Sequence, residues 1–405
     1  MGAVDRLARP PRLPLPYFVS AIFGAHLAFI PLFGVLLPAK VERLSPDSAL
    51  VDFSWLLLVG ALTASVANIL AGALSDRLVA RGGTRRPLVV AGLMGLFASG
   101  AGFLMATSFG GLLFAMILFQ FALNAMFAPI VALLADAIPH ARKGWTAGWL
   151  NLALPFGSFA MGVAGLLLGS LDFAAFLTLP IIVVFMCAPL LARWPAMPSS
   201  GTHEKLRYAP APKGRRTDFV LAWIARFAMQ LGGAVMFGYF FFVVRDLLGS
   251  EATTASDATR LTFLAAPPAA VATLVLGRLS DRRWGRRPPL VFAALVAAVA
   301  LGMIASGPGP GLAVAGYTLF LTSLTLFLAL DQALVAELVT GMEDRGKRLG
   351  WMNLTNTLPA ILVPATSLVL LTGEPGSTLL TQLLVGCALA AVVAALTIAR
   401  IRTVR

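Results

Sequence analysis

Twelve apolar runs dictate what this chain can become: residues 17–38, 52–74, 87–107, 111–138, 145–168, 174–194, 218–244, 259–279, 288–306, 312–339, 350–372 and 378–399. A bilayer core about 30 Å thick takes roughly twenty residues of helix and offers no water to the backbone, so each run is predicted to be a transmembrane helix. No stretch between them is long enough for a soluble domain. Only 12% of the 405 residues are charged, about half the share that a soluble surface needs. The first run follows Arg6, Arg9 and Arg12 without a small-residue cleavage site, so it is expected to be a retained helix and not a removed signal peptide.

The formal net charge of +13 invites a nucleic-acid reading, which needs the basic residues gathered on one polar domain. They sort by loop parity instead. Of the 31 Lys and Arg, 26 fall at the termini or after runs 2, 4, 6, 8 and 10, against four (Lys40, Arg43, Arg245, Arg260) on the opposite side and one, Arg226, inside a run. Basic loops stay cytoplasmic. Both termini are therefore expected in the cytoplasm, in a multi-pass protein of the inner (plasma) membrane. The excess charge reflects topology and no nucleic-acid partner; the bilayer is the partner that composition demands. Cys187 and Cys387 sit in apolar runs, where a thiol acts as a small hydrophobe, so neither a disulfide nor a metal site is expected.

One basic loop occurs twice. GALSDRLVARGG at residues 72–83, with TRRP after it, returns as GRLSDRRWGRRP at 277–288; ALLAD at 132–136 returns as ALVAE at 333–337, and GWLNL at 148–152 as GWMNL at 350–354. Three matches in one order, at offsets of 205, 201 and 202, imply two homologous halves of six helices. The expected division is an N-terminal half at 1–194, a polar, Pro-containing, basic cytoplasmic linker at 195–217 and a C-terminal half at 218–405.

G-x-L-S-D-R with a basic cluster, between runs 2 and 3 and again between 8 and 9, resembles the signature loop of the major facilitator superfamily. The resemblance covers the whole chain. It implies an all-α membrane protein of twelve transmembrane helices in two pseudo-symmetric halves, with helices 1, 4, 7 and 10 lining a central cavity and 3, 6, 9 and 12 facing lipid. More narrowly, LLPAKVERLSPDS, VGALTASVANILAGALSDR, and DQALVAELV with DRGKRLGWMNLTNTLP resemble bacterial relatives of the glycoside-pentoside-hexuronide and sucrose symporters. That narrower likeness rests on backbone-shaping and gating residues, none of which touches a sugar.

The loop residues suggest a latch. Gly72 and Gly277 are expected to let helices approach closely, and Asp76 and Asp281 to face a helix N-terminus or the arginines beside them, Arg77 and Arg282 among these. Asp136 and Glu337, matched acids at the cytoplasmic ends of runs 4 and 10, lie within reach of the same arginines. Both sets are expected to close the inner side as the halves rock. The alternative is that the loops are solvated, positive anchors.

Polar residues inside the runs mark a path. Run 1 has His26; run 4 has Gln120 and Asn124; run 7 has Arg226 and Gln230; run 10 has Asp331 and Gln332. Gln120 and Asn124 are four apart, as are Arg226 and Gln230, so each pair shares a helix face. Runs 3, 6, 9 and 12 hold no charge away from their ends. Ionisable groups at bilayer depth cost about 2.5–3.5 kcal/mol each, so they are functional candidates. His26, Gln120, Asn124, Arg226, Gln230, Gln332 and Asn356 are the candidate substrate contacts, and Asp331 and His26 the candidate proton carriers. The structural alternatives are a packing histidine at His26, interhelical glue at Gln120 and Asn124, and a static Arg226–Asp331 pair. Asn151 and Asn353, matched by the repeat, are read as structural or gating residues.

Three functions fit this pattern. The first is a secondary transporter that takes up a small polar solute, a sugar or glycoside, with a proton. The second is a proton-coupled exporter of amphipathic compounds, although the Gly-Pro step usual in helix 5 of that group is missing, Pro155 preceding Gly157. The third is a non-transporting assembly factor, for which buried ionisable residues have no use. No HExxH, Gly-x-Ser-x-Gly or P-loop points to an enzyme or an ATP site, so no cofactor is expected, the energy source should be an ion gradient, and the protein is expected to act as a monomer.

Overall fold

The computed structural model describes residues 13–138, 146, 150, 152–168, 174–195, 215–247, 249, 254–279, 285–307, 309–339, 345–371 and 376–402. Among these the chain is helical, without a strand. The helices, numbered to follow the runs, are α1 (Leu15–Pro31), α2 (Ala49–Ala80), α3 (Arg86–Met105), α4 (Phe109–Asp136), α5 (Ala153–Leu168), α6 (Ala175–Ala192), α7 (Arg215–Gly238), α8 (Thr254–Leu279), α9 (Arg287–Ala305), α10 (Pro310–Val339), α11 (Arg345–Leu370) and α12 (Gly376–Ala399). Eleven spans among the described residues are long and apolar enough to cross a membrane. The remaining run, the fifth, is described as a helix from Ala153 to Leu168, sixteen residues.

Local chemistry accounts for the boundaries. The RRP step of each basic loop starts a helix, since Pro87 in α3 and Pro288 in α9 occupy the first turn, where a fixed φ helps and the missing N–H costs nothing. Just before these starts the chain turns through Gly82 (φ 76°) and Gly285 (φ 66°), left-handed positions that glycine takes without a Cβ clash. Hydroxyls inside the spans donate back to carbonyls one turn earlier, as Ser54 does to Leu50, Thr273 to Ala269 and Ser367 to Val363, so they do not face the hydrocarbon unsatisfied. Large apolar side chains such as Met94, Phe114, Phe185, Val299 and Leu389 stay exposed, as a surface solvated by lipid tails allows. α1 runs on into a π-helical turn, Leu32–Leu36, and the chain continues helically as Leu37–Leu44; beyond α7 a bend at Tyr239 and a short helix, Phe240–Phe242, lead into a second π turn, Val243–Leu247.

The helices gather into two compact units. One comprises Met1–Phe29, Leu62–Ala153 and Ala174–Leu206, and the other Ile30–Ala61, Leu154–Phe173 and Arg207–Arg405. In the first, α3 packs on α4 without side chains between them: a Cβ at Gly92 would lie 2.4 Å from the Met126 nitrogen and 2.7 Å from the Ala122 oxygen. α3 meets α6 in the same way, Gly100 lying against the Phe176 carbonyl. In the second, α9 packs on α12, α8 and α9 on α10, and α7 on α11 and α12. α5 joins it through Gly162, whose Cβ would lie 2.4 Å from Phe263 Cβ, and through Phe159 stacked on Phe263.

Those glycines correct one expectation. Gly72 was expected to seat a close helix approach, yet among the described residues nothing lies within 4 Å of where its Cβ would be. Close approach is made deeper in the spans, at Gly92, Gly100 and Gly162, where backbone meets backbone or Cβ. The surroundings of Gly277 lie outside the described residues.

Candidate substrate site and gates

In the second unit, one face of α7 carries Trp223, Arg226 and Gln230 toward α10 and α11. Arg226 donates from Nη1 to Asp331 Oδ2 at 3.0 Å, with Asp331 wholly buried and the arginine side chain 12% exposed. Arg226 Nε and Asp331 Oδ1 are also buried and have no hydrogen-bond partner among the described residues. One helical step further, Gln230 Nε2 donates to Asn356 Oδ1 at 2.6 Å, and Asn356 Nδ2 to Asn353 Oδ1 at 3.3 Å. Trp223 Nε1 donates to the Trp351 carbonyl at 2.8 Å while its ring stacks on Phe227, which fixes the end of the ladder.

These groups border a cavity of about 200 Å³. Its polar wall is Arg226, Gln332, Asn353 and Asn356, and its apolar wall includes Val335 and Met352. Met352 and Val335 belong to a buried cluster with Phe219 and Val339, against which Trp223 packs. Hydroxyl-bearing solutes suit such a lining, because amides donate and accept while the apolar wall excludes water.

The first unit holds the other candidates. Gln120 and Asn124 are buried in α4; Asn124 Nδ2 donates to the Gln120 carbonyl at 2.8 Å, and Asn68 of α2 donates to Asn124 Oδ1 at 3.1 Å. Gln120 Nε2 lies 3.8 Å from the Met116 sulfur. His26 donates from Nδ1 to the Ile22 carbonyl at 2.9 Å, with Phe29 and Phe127 as ring neighbours at 5.3 and 5.9 Å.

The basic loops pair differently in the two halves. Arg85, buried, donates to both Ser75 and Asp76, the latter at 2.8 Å. Its repeat counterpart Arg286 pairs instead with Glu337 of α10, at 2.9 Å. Arg77 is exposed. Asp281, Arg282 and Asn151, and the side chain of Asp136, lie outside the described residues. A further charge cluster, absent from the expectations, sits in the second unit, with two of its members in the π turn Val243–Leu247. Arg245 reaches Glu42 at 2.9 Å, holds both oxygens of Asp246 and stacks on buried Phe242 at 4.8 Å. Burial alone would lower the Arg245 pKa, but hydrogen bonds and the charges of Asp246 and Glu42 outweigh it and raise it. Beside this cluster a cavity of about 470 Å³ is lined by Asp47, Ser48, Arg245, Asp246 and Ser377 among others.

Sequence reading missed Asn68, the lining role of Asn353 and the Glu42–Arg245–Asp246 cluster. An amide in run 2 was a visible signal for Asn68. For the cluster the only signal was two charges side by side in a loop otherwise poor in them, with the partner 203 positions away.

A helical membrane protein that holds an ion pair and amide ladders inside its spans, with glycine-packed helices around them, has the build of a polytopic transport protein. The chain belongs to the Major Facilitator Superfamily, whose family model matches residues 15–364, and it is a membrane transporter of the major facilitator type. A comparison with curated proteins finds no match.

Proposed function

We propose that the protein is a secondary transporter working by alternating access, which takes a small hydroxylated solute into the cell together with a proton. The observation that carries this reading is the Arg226–Asp331 pair at the edge of an amide-lined cavity. An ion pair at membrane depth is costly, and a half-satisfied one has two arrangements available to it, as a coupling device needs. Asp331 belongs to one repeat only, since at the offset of 201 its counterpart is Ile130, so it is set apart from the duplicated latch acids. In this reading Arg226, Gln230, Gln332, Asn353 and Asn356 of the second unit bind the solute and Asp331 carries the proton; the polar residues Gln120, Asn124 and His26 belong to the first unit. The likeness to glycoside and sucrose symporters supports a sugar-like solute.

The basic-residue count supports cytoplasmic termini and an inner-membrane location. With that orientation the Glu42–Arg245–Asp246 cluster is an outer gate, and Arg85–Asp76 and Arg286–Glu337 belong to the inner latch. The two sixfold repeats, residues 1–194 and 218–405, are the halves that rock, and a monomer suffices for this.

The test is uptake by the purified full-length protein in proteoliposomes with an imposed inward proton gradient and a panel of labelled solutes. Wild type accumulates its solute and Asp331→Asn does not, while retaining exchange of labelled for unlabelled solute. Accumulation by Asp331→Asn would overturn the assignment of the coupling residue. Movement only outward, driven by the opposite gradient, would favour the exporter.

A further inference from the structure

The polar face of α7 begins below the cavity. Phe219, Trp223, Arg226 and Gln230 follow one another at steps of four, three and four residues, so they share one stripe of the helix. Arg226 borders the cavity, whereas Phe219 joins Val335 and Val339 of α10 and Met352 of α11 in a buried apolar cluster. Val335 and Val339 follow Asp331 by four and eight residues, about 6 and 12 Å of rise, and Leu334 and Leu338 beside them are buried as well. The cluster is thus a floor under the ion pair, on its cytoplasmic side in the proposed orientation.

The chain beyond α12 braces this floor. Asp218, in the first turn of α7, is only 4% exposed, and its Oδ2 accepts from the backbone N–H of Arg402 at 3.0 Å. On the way there the chain leaves α12 by two tight turns, Arg400 N–H donating to the Thr397 carbonyl and Ile401 N–H to that of Ile398, and it buries Ile401 wholly. The Ala399 carbonyl, left without an intrahelical donor at the end of α12, takes the guanidinium of Arg287 from the start of α9. Arg348 of α11 covers the Phe219 ring at 5.2 Å. A helix N-terminus favours an acid, but burying a carboxylate costs free energy that an apolar residue would not. Packing alone does not call for Asp218.

We propose that Asp218 is a positioning residue: through the Arg402 N–H it straps the first turn of α7 to the end of α12, and the strap keeps the floor closed to water beneath Asp331. The inference rests on the transporter reading, in which the proton on Asp331 has to leave through the cavity with the solute and not through the floor. Asp218 and Arg226 are eight residues apart on one unbroken helix, about 12 Å. A loosened first turn therefore draws Phe219 out of the cluster and shifts Arg226 against Asp331 in the same movement.

The experiment reads thiol labelling of Val339→Cys in the purified full-length protein, because Val339 is wholly buried in the floor and the native Cys187 and Cys387 are buried too. Asp218→Ala and Arg402→Pro remove the acceptor and the donor of one bond. Each should speed labelling about ten- to a hundredfold, the range of a hydrogen bond to a charged group. Arg402→Ala keeps the N–H and should label as wild type does, and Asp218→Asn, which still accepts, should fall near it. Proline also restricts the residue before it, so the double variant decides: Asp218→Ala with Arg402→Pro should label no faster than the faster single variant. In proteoliposomes without solute, Asp218→Ala should dissipate an imposed proton gradient faster than wild type. Faster labelling with an intact gradient would uphold the strap and count against Asp331 as the proton carrier. An unchanged labelling rate in Asp218→Ala, with thermal stability lowered, would make Asp218 a packing residue and overturn the proposal. Equal acceleration in Arg402→Ala and Arg402→Pro would overturn it too, by assigning the effect to the arginine side chain.

Discussion

Gly162→Ala tests whether the α5–α8 contact is a moving one. A Cβ at Gly162 would lie 2.4 Å from Phe263 Cβ, 2.7 Å from its Cα and 2.8 Å from its nitrogen. Ordinary carbon contacts lie at about 3.5–4.0 Å, so α5 must back away by roughly 1 Å, and backbone cannot swing aside as a side chain would. Overpacking of this kind costs about 1–3 kcal/mol. If transport requires α5 and α8 to part, the cost falls only on the conformation described here, and the population shifts toward the other by roughly 5–150-fold. Ser158→Cys reports it, because Ser158 is on α5, 1% exposed and nearly isosteric with cysteine, and the native Cys187 and Cys387 are buried. Its labelling by a thiol reagent should accelerate in the Gly162→Ala background toward that factor. Gly92→Ala is the control, since its clash with Met126 and Ala122 lies between α3 and α4, away from the α5–α8 contact, and should lower thermal stability without speeding Ser158→Cys labelling. An unchanged labelling rate in Gly162→Ala, with stability lowered as in Gly92→Ala, would refute the moving contact.

Three further outcomes follow from the site. Arg226→Met should cost about 3–5 kcal/mol, whereas Arg226→Met with Asp331→Leu should recover most of it, because a lone buried charge is worse than an apolar pair; a double-mutant cycle on thermal unfolding checks this. Arg245→Met should speed labelling of Ser377→Cys from outside, since it leaves Glu42 and Asp246 facing each other without their cation; equal rates in variant and parent would deny the gate. Glu337→Gln should change thermal stability by no more than about 1 kcal/mol, because Glu337 is half exposed, while shifting inner-side accessibility; a loss of several kcal/mol would make the pair structural.

The spans were legible because hydrocarbon thickness writes their length directly into the sequence, and the repeat was legible because the same loop chemistry is needed twice. The polar residues inside the spans stood out for the same reason: bilayer depth penalises them. Of their partners only one was legible, the pairing of Arg226 with Asp331, which opposite charges on two runs suggest. Nothing in the periodicity of the runs says that Gln230 reaches Asn356 or that Asn68 reaches Asn124, since those contacts depend on how the helices rotate against each other. The grouping of Ile30–Ala61 and Leu154–Phe173 with the later helices has no sequence signal either. It arises from Gly162 against Phe263 and Glu42 against Arg245, pairs that are far apart in the chain and follow no repeat. Gly72 shows the converse error, in which a motif glycine was assigned a packing role that its open surroundings do not require.

In the proposed reading, the unequal pairing of the matched arginines links the latch to the coupling site. Arg85 takes the acid of its own loop, Asp76, so that contact closes between α2 and α3 and involves no cavity residue. Arg286 takes Glu337 instead and ties the start of α9 to α10. Glu337 and Asp331 are six residues apart on one helix, about 9 Å of rise, and Gln332 lies between them. A rigid α10 therefore cannot change its hold on Arg286 without moving Asp331 against Arg226, and the half-made pair is the contact with least to lose from such a shift. On the other half no ionisable residue stands at Ile130, so the same loop there has nothing to transmit. In the proposed reading, a duplicated latch with a single acid behind it gives the two loops different work: Arg85–Asp76 ties α2 to α3, and Arg286–Glu337 ties α9 to the helix that carries the proposed proton acceptor.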